Sequence, residues 1–337
     1  MNLFLKKALQ LNKLPKFQEI RIESTNNCGC RCFMCPIDQM TRKKGFMSIE
    51  DLKLILKELD YIDYDVSFQL HGHGESLLCK DLDERISLIK NTNPHFLPQI
   101  TTTLAYNIDE DWFESLFKNG LHEIFVSLYG YNNETYKSVH GVDRFELVKQ
   151  NLKLLSKIKN KYPDTVIFIQ LDDFKDKYPF DITENELNNL RNDFISYLKS
   201  LNFSDNEIIY WTLHNYGNSK SDLPQTKNVY PCSILWGTRK NILQIDWQLN
   251  IIPCCFDFDS KYSFGNLKEK TLKEIFCGEK RMKFLDSISK GNKLPLCVGC
   301  VANKEIPEQK IQKMLKHPII STRSEERRVG KECRSRW

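Results

Sequence analysis

Residues 17–59, FQEIRIESTNNCGCRCFMCPIDQMTRKKGFMSIEDLKLILKEL, read as one strand–loop–helix unit. FQEIRIEST (17–25) alternates with period two, the mark of a strand. MSIEDLKLILKEL places Leu52, Ile55, Leu56 and Leu59 on one helical face, and Ser48 with Asp51 offers a capping box at its start. Four cysteines, Cys28, Cys30, Cys32 and Cys35, fall in the loop between them. The unit therefore opens a βα repeat whose first loop, at the carboxyl end of its strand, is dense in thiols.

The same alternation continues along the chain. DVSFQLHG is strand-like and Asp81 to Lys90 helix-like; PQITTTLA is a third strand, followed by a helix from Asp109 to Lys118. HEIFVSLYG is a fourth strand, and the next helix puts Phe145, Val148, Leu152 and Leu155 on one side. TVIFIQL is a fifth strand. Thr183 and Glu186 cap the helix carrying Leu187, Leu190, Phe194 and Leu198, and EIIYWTLHN is a sixth strand. Six such units predict a parallel sheet with right-handed crossovers, either an open doubly wound sheet or a partial barrel. Reacting groups then belong at the carboxyl ends of the strands. Cys28 follows strand one, Gly74-Glu75 follows strand two, Thr101 to Thr103 lie in strand three and Ser127 ends strand four. From Gly217 to Lys227 the pattern dissolves into a polar stretch that reads as a linker. Beyond it come short strands (ILQID, NIIPC) and one helix (LKEIF) in a cysteine-rich region.

The 337 residues, 41% hydrophobic, suffice for one large domain and a small one. No stretch approaches the roughly 20 apolar residues of a membrane span. MNLFLKKALQLNKLPK lacks the apolar run of a signal peptide and reads as a surface helix, so a cytoplasmic protein is expected. The formal charge is +5, of which the terminal RSEERRVGKECRSRW, with six Arg/Lys and three Glu, supplies +3. This tail breaks with the Lys-, Asn- and Ile-rich body and reads as a non-native remnant outside the fold. The nearly balanced body gives no electrostatic reason to expect nucleic acid or membrane as a partner. Twelve cysteines without an export signal exclude a disulfide framework. Four lie within Cys28–Cys35 and six within Cys232–Cys300, and such clusters in a reducing compartment mean metal or redox chemistry.

Cys28-x3-Cys32-x2-Cys35 can wrap one iron–sulfur cluster and leave one iron open; a zinc site is the competing reading, and Cys30 offers other pairings. Here the chain resembles the radical SAM superfamily, whose signature is C-x3-C-x-aromatic-C on the loop after strand one. Cys28, Cys32 and Cys35 fit, with Phe33 between the last two as the ring that would pack beside the adenine of S-adenosylmethionine (SAM). LHGHGESLL (70–78) resembles the family's glycine-rich strand-two motif, in which Gly74 and Glu75 would bind the amino group of SAM; Ser76 stands where proline is usual. VSLYGYNNETYKSVHGVDRFELVKQNL (126–152) resembles the fourth strand and following helix, with Ser127 as a SAM contact and His140 in place of a frequent arginine. Thr103 is the nearest equivalent of the usual Asn-Gly in strand three.

The region from Cys232 to Cys300 resembles the SPASM or twitch extension, through Pro253-Cys254-Cys255, Asp257, Gly265-Asn266 and Cys297-x2-Cys300. Gln248-Leu249 replaces the Asp-Gly turn. The preferred ligands of one auxiliary [4Fe–4S] cluster are Cys232, Cys254, Cys297 and Cys300, with Cys255 and Cys277 left over; a zinc ribbon is the alternative.

The resemblance implies a partial (β/α)6 barrel over 17–218, after an N-terminal helix at 1–16. A linker at 219–231, a small α+β SPASM/twitch domain at 232–305, a C-terminal segment at 306–322 and the tail at 323–337 would follow. It further implies reductive cleavage of SAM and hydrogen abstraction from a substrate, with flavodoxin or ferredoxin as electron donor. Because no room remains for a peptide-binding winged helix before Phe17, a small polyol, aminocyclitol or sugar is favoured over a ribosomally made peptide. A zinc-bound scaffold or nucleic-acid-binding module is the reading from another class. Cys79 is expected in the core, His71 and His73 in packing or hydrogen bonding, and Trp211, His214 and Tyr216 at the pocket wall or in packing.

Overall fold

The computed structural model describes residues 14–174, 178–213, 215–216, 219–220, 223, 241–289, 292, 294–297 and 300. Residues 1–13 of the expected N-terminal helix, most of the linker, His214, Cys232 and everything beyond Cys300 lie outside the described residues. Among the described residues no helix is long and apolar enough to cross a membrane.

Six parallel strands follow one another across the sheet: β1 (Glu19–Ile22), β2 (Val66–Gln69), β3 (Phe96–Thr102), β4 (Glu123–Ser127), β5 (Val166–Asp173) and β6 (Ile208–Thr212). The helices between them are α1 (Ile49–Glu58), α2 (Leu82–Thr92), α3 (Glu110–Lys118), α4 (Asn133–His140), α5 (Phe145–Lys161) and α6 (Glu184–Ser200). Their caps explain where they start. Ser48, Asp109 and Thr183 each accept a backbone N–H three residues on, and Thr183 with Glu186 closes a reciprocal capping box. The fourth crossover holds two helices where the sequence showed one, and the extra one, α4, starts at its own box on Asn132 and Thr135.

The alternation of FQEIRIEST has a clear origin. Ile20 and Ile22 are fully buried in the core shared with Leu52, Ile55, Ile86 and Ile89. The opposite face is polar, and strand register puts Gln244, Arg21, Gln69, Gln99 and Glu123 side by side at one level. A parallel sheet packed by helices on both faces would read as an unbroken apolar run. Here one face is covered by helices and the other is lined for polar contents.

The cysteine-rich region continues this same sheet. β7 (Ile242–Ile245) runs parallel to β1 over Glu19↔Ile242 to Ile22↔Ile245; β8 (Asn250–Ile252) and β9 (Gly265–Asn266) follow antiparallel. The order is β6-β5-β4-β3-β2-β1-β7-β8-β9, so β1 lies inside the sheet. Two short helices, α7 (Leu272–Phe276) and α8 (Glu279–Ser289), complete it. The β7–β8 turn, where Gln248-Leu249 replaces Asp-Gly, keeps Leu249 at φ 69°, a left-handed conformation that favours glycine. Asp246 supports the turn by accepting the amides of Gln248 and Asn250, both at 2.9 Å.

Gly74 shows how tightly the loops after β1 and β2 meet. A Cβ there would stand 2.2 Å from the Thr25 carbonyl oxygen and 2.8 Å from that of Asn27. The glycine is thus required by backbone of this chain. Gly74→Ala is expected to cost about 3 kcal/mol or more, since rigid backbone cannot yield as a side chain does. A denaturant midpoint within error of the parent would refute this.

Candidate functional site

The loop after β1 is built by its own polar residues before any thiol is considered. Thr25 Oγ1 donates to the Gly45 carbonyl at 2.6 Å, Asn26 Nδ2 to that of Lys43 at 3.0 Å, and the Gly45 amide to Asn26 Oδ1 at 2.8 Å. Thr25-Asn26-Asn27 therefore closes the cysteine loop onto its return arm. Sequence reasoning passed over these residues; the signal was a run of short polar side chains at a strand end. The arm is anchored by Arg42, which donates to both carboxylate oxygens of buried Glu23 at 2.6 Å and to the Phe258 carbonyl at 2.5 Å. Burial alone would raise the Glu23 carboxyl, but hydrogen bonds from His73 and Arg42 hold it down at about 2. Thr41, beside it, donates to Asp259 through its amide at 2.7 Å and its hydroxyl at 2.9 Å. The thiol loop is thus clamped to the cysteine-rich region.

Within the loop, Cys28, Cys32 and Cys35 are half-buried and Cys30 is buried. The Cys28 thiol hydrogen-bonds Cys30, and this contact with burial pushes it well up. Cys30 hydrogen-bonds both Cys28 and Cys32 and stands at about 12; burial takes Cys35 to about 12 as well. Such thiols stay protonated until a metal displaces the protons. Among the described residues no three His, Cys, Asp or Glu side chains converge on one ion-sized point. The soft donors nonetheless fit an iron–sulfur cluster, whose thiolates each take a different iron. Cys30 also meets Thr103 Oγ1 at 3.8 Å.

Counting along C-x3-C-x-aromatic-C, the aromatic position falls on Met34, and Phe33 occupies the place before it. Met34 is buried with Tyr129, Val139 and Phe174. Phe33 is half-buried, its ring 5.7 Å from Phe174 in an edge contact.

Glu75 is fully buried beside this loop, and its amide donates to the Asn27 carbonyl at 2.8 Å. Its carboxylate accepts from the Thr103 amide and hydroxyl, each at 3.0 Å, and from the Leu77 amide at 3.2 Å. Thr103 makes both bonds because β3 ends at Thr102, three residues short of the expected strand; Leu104 then turns at φ 54°. Burial pushes the Glu75 carboxyl up, against these hydrogen bonds. Among the described residues no Lys, Arg or His lies within ion-pair distance of it. An unbalanced buried carboxylate fits a cationic ligand.

Ser127 ends β4 as expected, with its hydroxyl donating to Gln170 Oε1 at 3.3 Å; Tyr129 Oη donates to the same atom at 2.9 Å. Trp211 stacks on Tyr129 at 5.3 Å and Tyr216 meets Phe256 edge-on at 5.9 Å, so both belong to aromatic packing around the strand ends. His71 meets Thr101 Oγ1 at 3.3 Å and is driven down to about 3 by burial. Cys79 lies in the core.

In the cysteine-rich region Cys254, Cys255, Cys297 and Cys300 gather in one packing group with Phe256 and Leu296. Cys277, capping α7, is not among them. Burial raises the Cys255 thiol, opposed by Arg21, which hydrogen-bonds it from β1.

Two family models match this chain: the radical SAM superfamily over residues 22–174 and the SPASM iron–sulfur cluster-binding domain over residues 232–301. The S-adenosyl-L-methionine-dependent 2-deoxy-scyllo-inosamine dehydrogenase of Niallia circulans is 22% identical over 288 residues, 84% of this chain and 92% of that protein. Among solved structures, BtrN in complex with AdoMet and 2-DOIA aligns with TM-score 0.56 at 19% identity, covering 86% of this chain and 94% of that one. Native anSMEcpe with bound AdoMet and Cp18Cys peptide aligns with TM-score 0.55 at 18% identity, covering 88% and 95%. At these identities the structural likenesses establish the fold.

Proposed function

Since the chain belongs to the radical SAM superfamily and carries a C-terminal SPASM domain, we propose that it oxidises a small polyol or aminocyclitol at a carbon–hydrogen bond. When bound, a reduced iron–sulfur cluster with SAM would supply a 5′-deoxyadenosyl radical for hydrogen-atom abstraction, and a second cluster would supply an acceptor for the electron left when the substrate also loses a proton. Cys28, Cys32 and Cys35 would hold the first cluster. Glu75, fixed by Thr103 and Leu77, would pair with the ammonium of SAM. Cys232, Cys254, Cys297 and Cys300 would hold the auxiliary cluster, with Cys255 beside them on Arg21. A flavodoxin or ferredoxin in the cytoplasm would supply electrons.

The observation that carries the substrate class is on the polar face of the sheet. Gln69 and Gln244 flank Arg21 in register, and the side-chain carbonyl oxygen of each is buried without a hydrogen-bond partner among the described residues. Orphaned buried acceptors are costly, and ligand hydroxyl or ammonium groups would satisfy them. The dehydrogenase relative, matched over 92% of its length, acts on a molecule of that kind by its name. A peptide substrate is the second reading, supported by the aromatic wall of Tyr129, Phe174 and Trp211 at the strand ends.

The test uses anaerobically purified protein, assayed for iron, sulfide and zinc. It is then given SAM, dithionite and panels of aminocyclitols, polyols and peptides. Substrate-dependent 5′-deoxyadenosine with a product two hydrogens lighter is expected from the first two panels only. Zinc in place of iron would overturn the reading, as would turnover confined to peptides.

The role of Glu75 is separable. Glu75→Gln is expected to weaken SAM binding by about 1.5–3 kcal/mol, the worth of a charge-assisted hydrogen bond, while iron content stays at the parent level. Unchanged affinity with lost iron would make the carboxylate a structural group.

A further inference from the structure

His140, the residue standing in place of an arginine, ends α4 fully buried. Its ring is stacked between Tyr136, 4.2 Å away at 22°, and Tyr129, 5.5 Å away at 6°. The Tyr129 amide N–H donates to His140 Nε2 at 3.1 Å. A ring that accepts a backbone N–H at Nε2 holds no proton there and carries its one ring proton on Nδ1. Nδ1 lies 3.4 Å from Cys32 Sγ.

The approach is enforced from both sides of Cys32. The Arg31 amide donates to the His140 carbonyl at 2.9 Å, and the Phe33 amide to the Val139 carbonyl at 3.0 Å. Gly141, at φ 68°, lets the chain leave; a Cβ there would stand 2.6 Å from the Arg31 carbonyl oxygen. A longer contact of the same kind exists at Cys28. Tyr106 Oη accepts from the Gly29 amide at 2.8 Å and stands 3.9 Å from Cys28 Sγ.

We propose that His140 is a positioning residue whose Nδ1–H donates a hydrogen bond to the Cys32 sulfur and raises the reduction potential of the cluster that Cys28, Cys32 and Cys35 would hold. This rests on the reading of Cys32 as a cluster ligand. Reduction adds one negative charge to the cluster, and an N–H dipole aimed at its sulfur favours the reduced state more than the oxidised one. Low local polarity strengthens the effect.

The experiment is a dithionite redox titration followed by EPR, monitoring the signal that changes on adding SAM. His140→Phe keeps an aromatic ring in the stack and removes the donor. It is expected to lower the equilibrium constant for reduction about tenfold, a fall of about 59 mV for a one-electron couple. An unchanged potential in a cluster-loaded variant overturns the proposal. Pulsed EPR of the unmutated reduced protein carrying ¹⁵N-histidine provides a reading independent of the variant's folding: weak coupling to a histidine nitrogen supports the bond, and its absence overturns it. Failure of the unmutated protein to show any SAM-sensitive signal would refute the underlying functional reading instead.

Discussion

Replacing Cys28, Cys32 and Cys35 together by alanine is expected to abolish SAM cleavage. The loss in 5′-deoxyadenosine release under dithionite should be at least about a thousandfold, equivalent to about 4 kcal/mol of barrier. The cofactor supplies the reaction, so removing its attachment leaves nothing for the surrounding residues to position. The fold should survive. The loop is closed by Thr25, Asn26 and Gly45 and tied down by Arg42 on Glu23, and none of these bonds involves a thiol. An intact circular dichroism spectrum with no product is therefore the expected pair of results. Release near the parent rate would remove these cysteines from the chemistry.

Alanine at both Cys297 and Cys300 is expected to separate the two halves of the reaction. SAM cleavage should persist, because Thr25, Asn26 and Gly45 close the loop after β1 and Arg42 ties it to Glu23, whereas oxidised product should fall by at least about a hundredfold, or about 3 kcal/mol. Both cysteines share one packing group with Cys254, Phe256 and Leu296, so loss of the cluster they would hold should also loosen that region. Protease sensitivity appearing first beyond β7 would report it. In protein lacking the first three cysteines, Mössbauer spectra should show one remaining four-iron cluster that substrate does not shift. A substrate-induced change would mean an open iron and a role in binding substrate.

Much of the framework was legible because it is written in local spacing. Period two in 17–25 and the apolar face of Leu52, Ile55 and Leu56 specify strand and helix from neighbours within a few residues. Thr183 with Glu186 fixed a helix start for the same reason. The order of strands along the chain then placed the thiol loop, Gly74-Glu75 and Ser127 at one end of a parallel sheet. Composition separated the two cysteine groups before any contact was known.

The tertiary structure alone decided which groups meet. Sequence order could not show that β7 returns to lie beside β1, since that pairing joins residues more than 200 positions apart and depends on which sheet edge is open. Nor could it show that Gly74 yields to the Thr25 carbonyl, that Thr103 leaves its strand to bind Glu75, or that of Phe33 and Met34 it is Met34 that is buried. His140 read only as a departure from a pattern. Its bond to Cys32 spans 108 positions and exists because two backbone hydrogen bonds and a left-handed glycine bring α4 against the loop. Spacing fixes what each segment can become, because propensity and periodicity act over one or two turns. Which side chain faces which thiol is set by packing among segments, and that information lies in no single stretch of the chain.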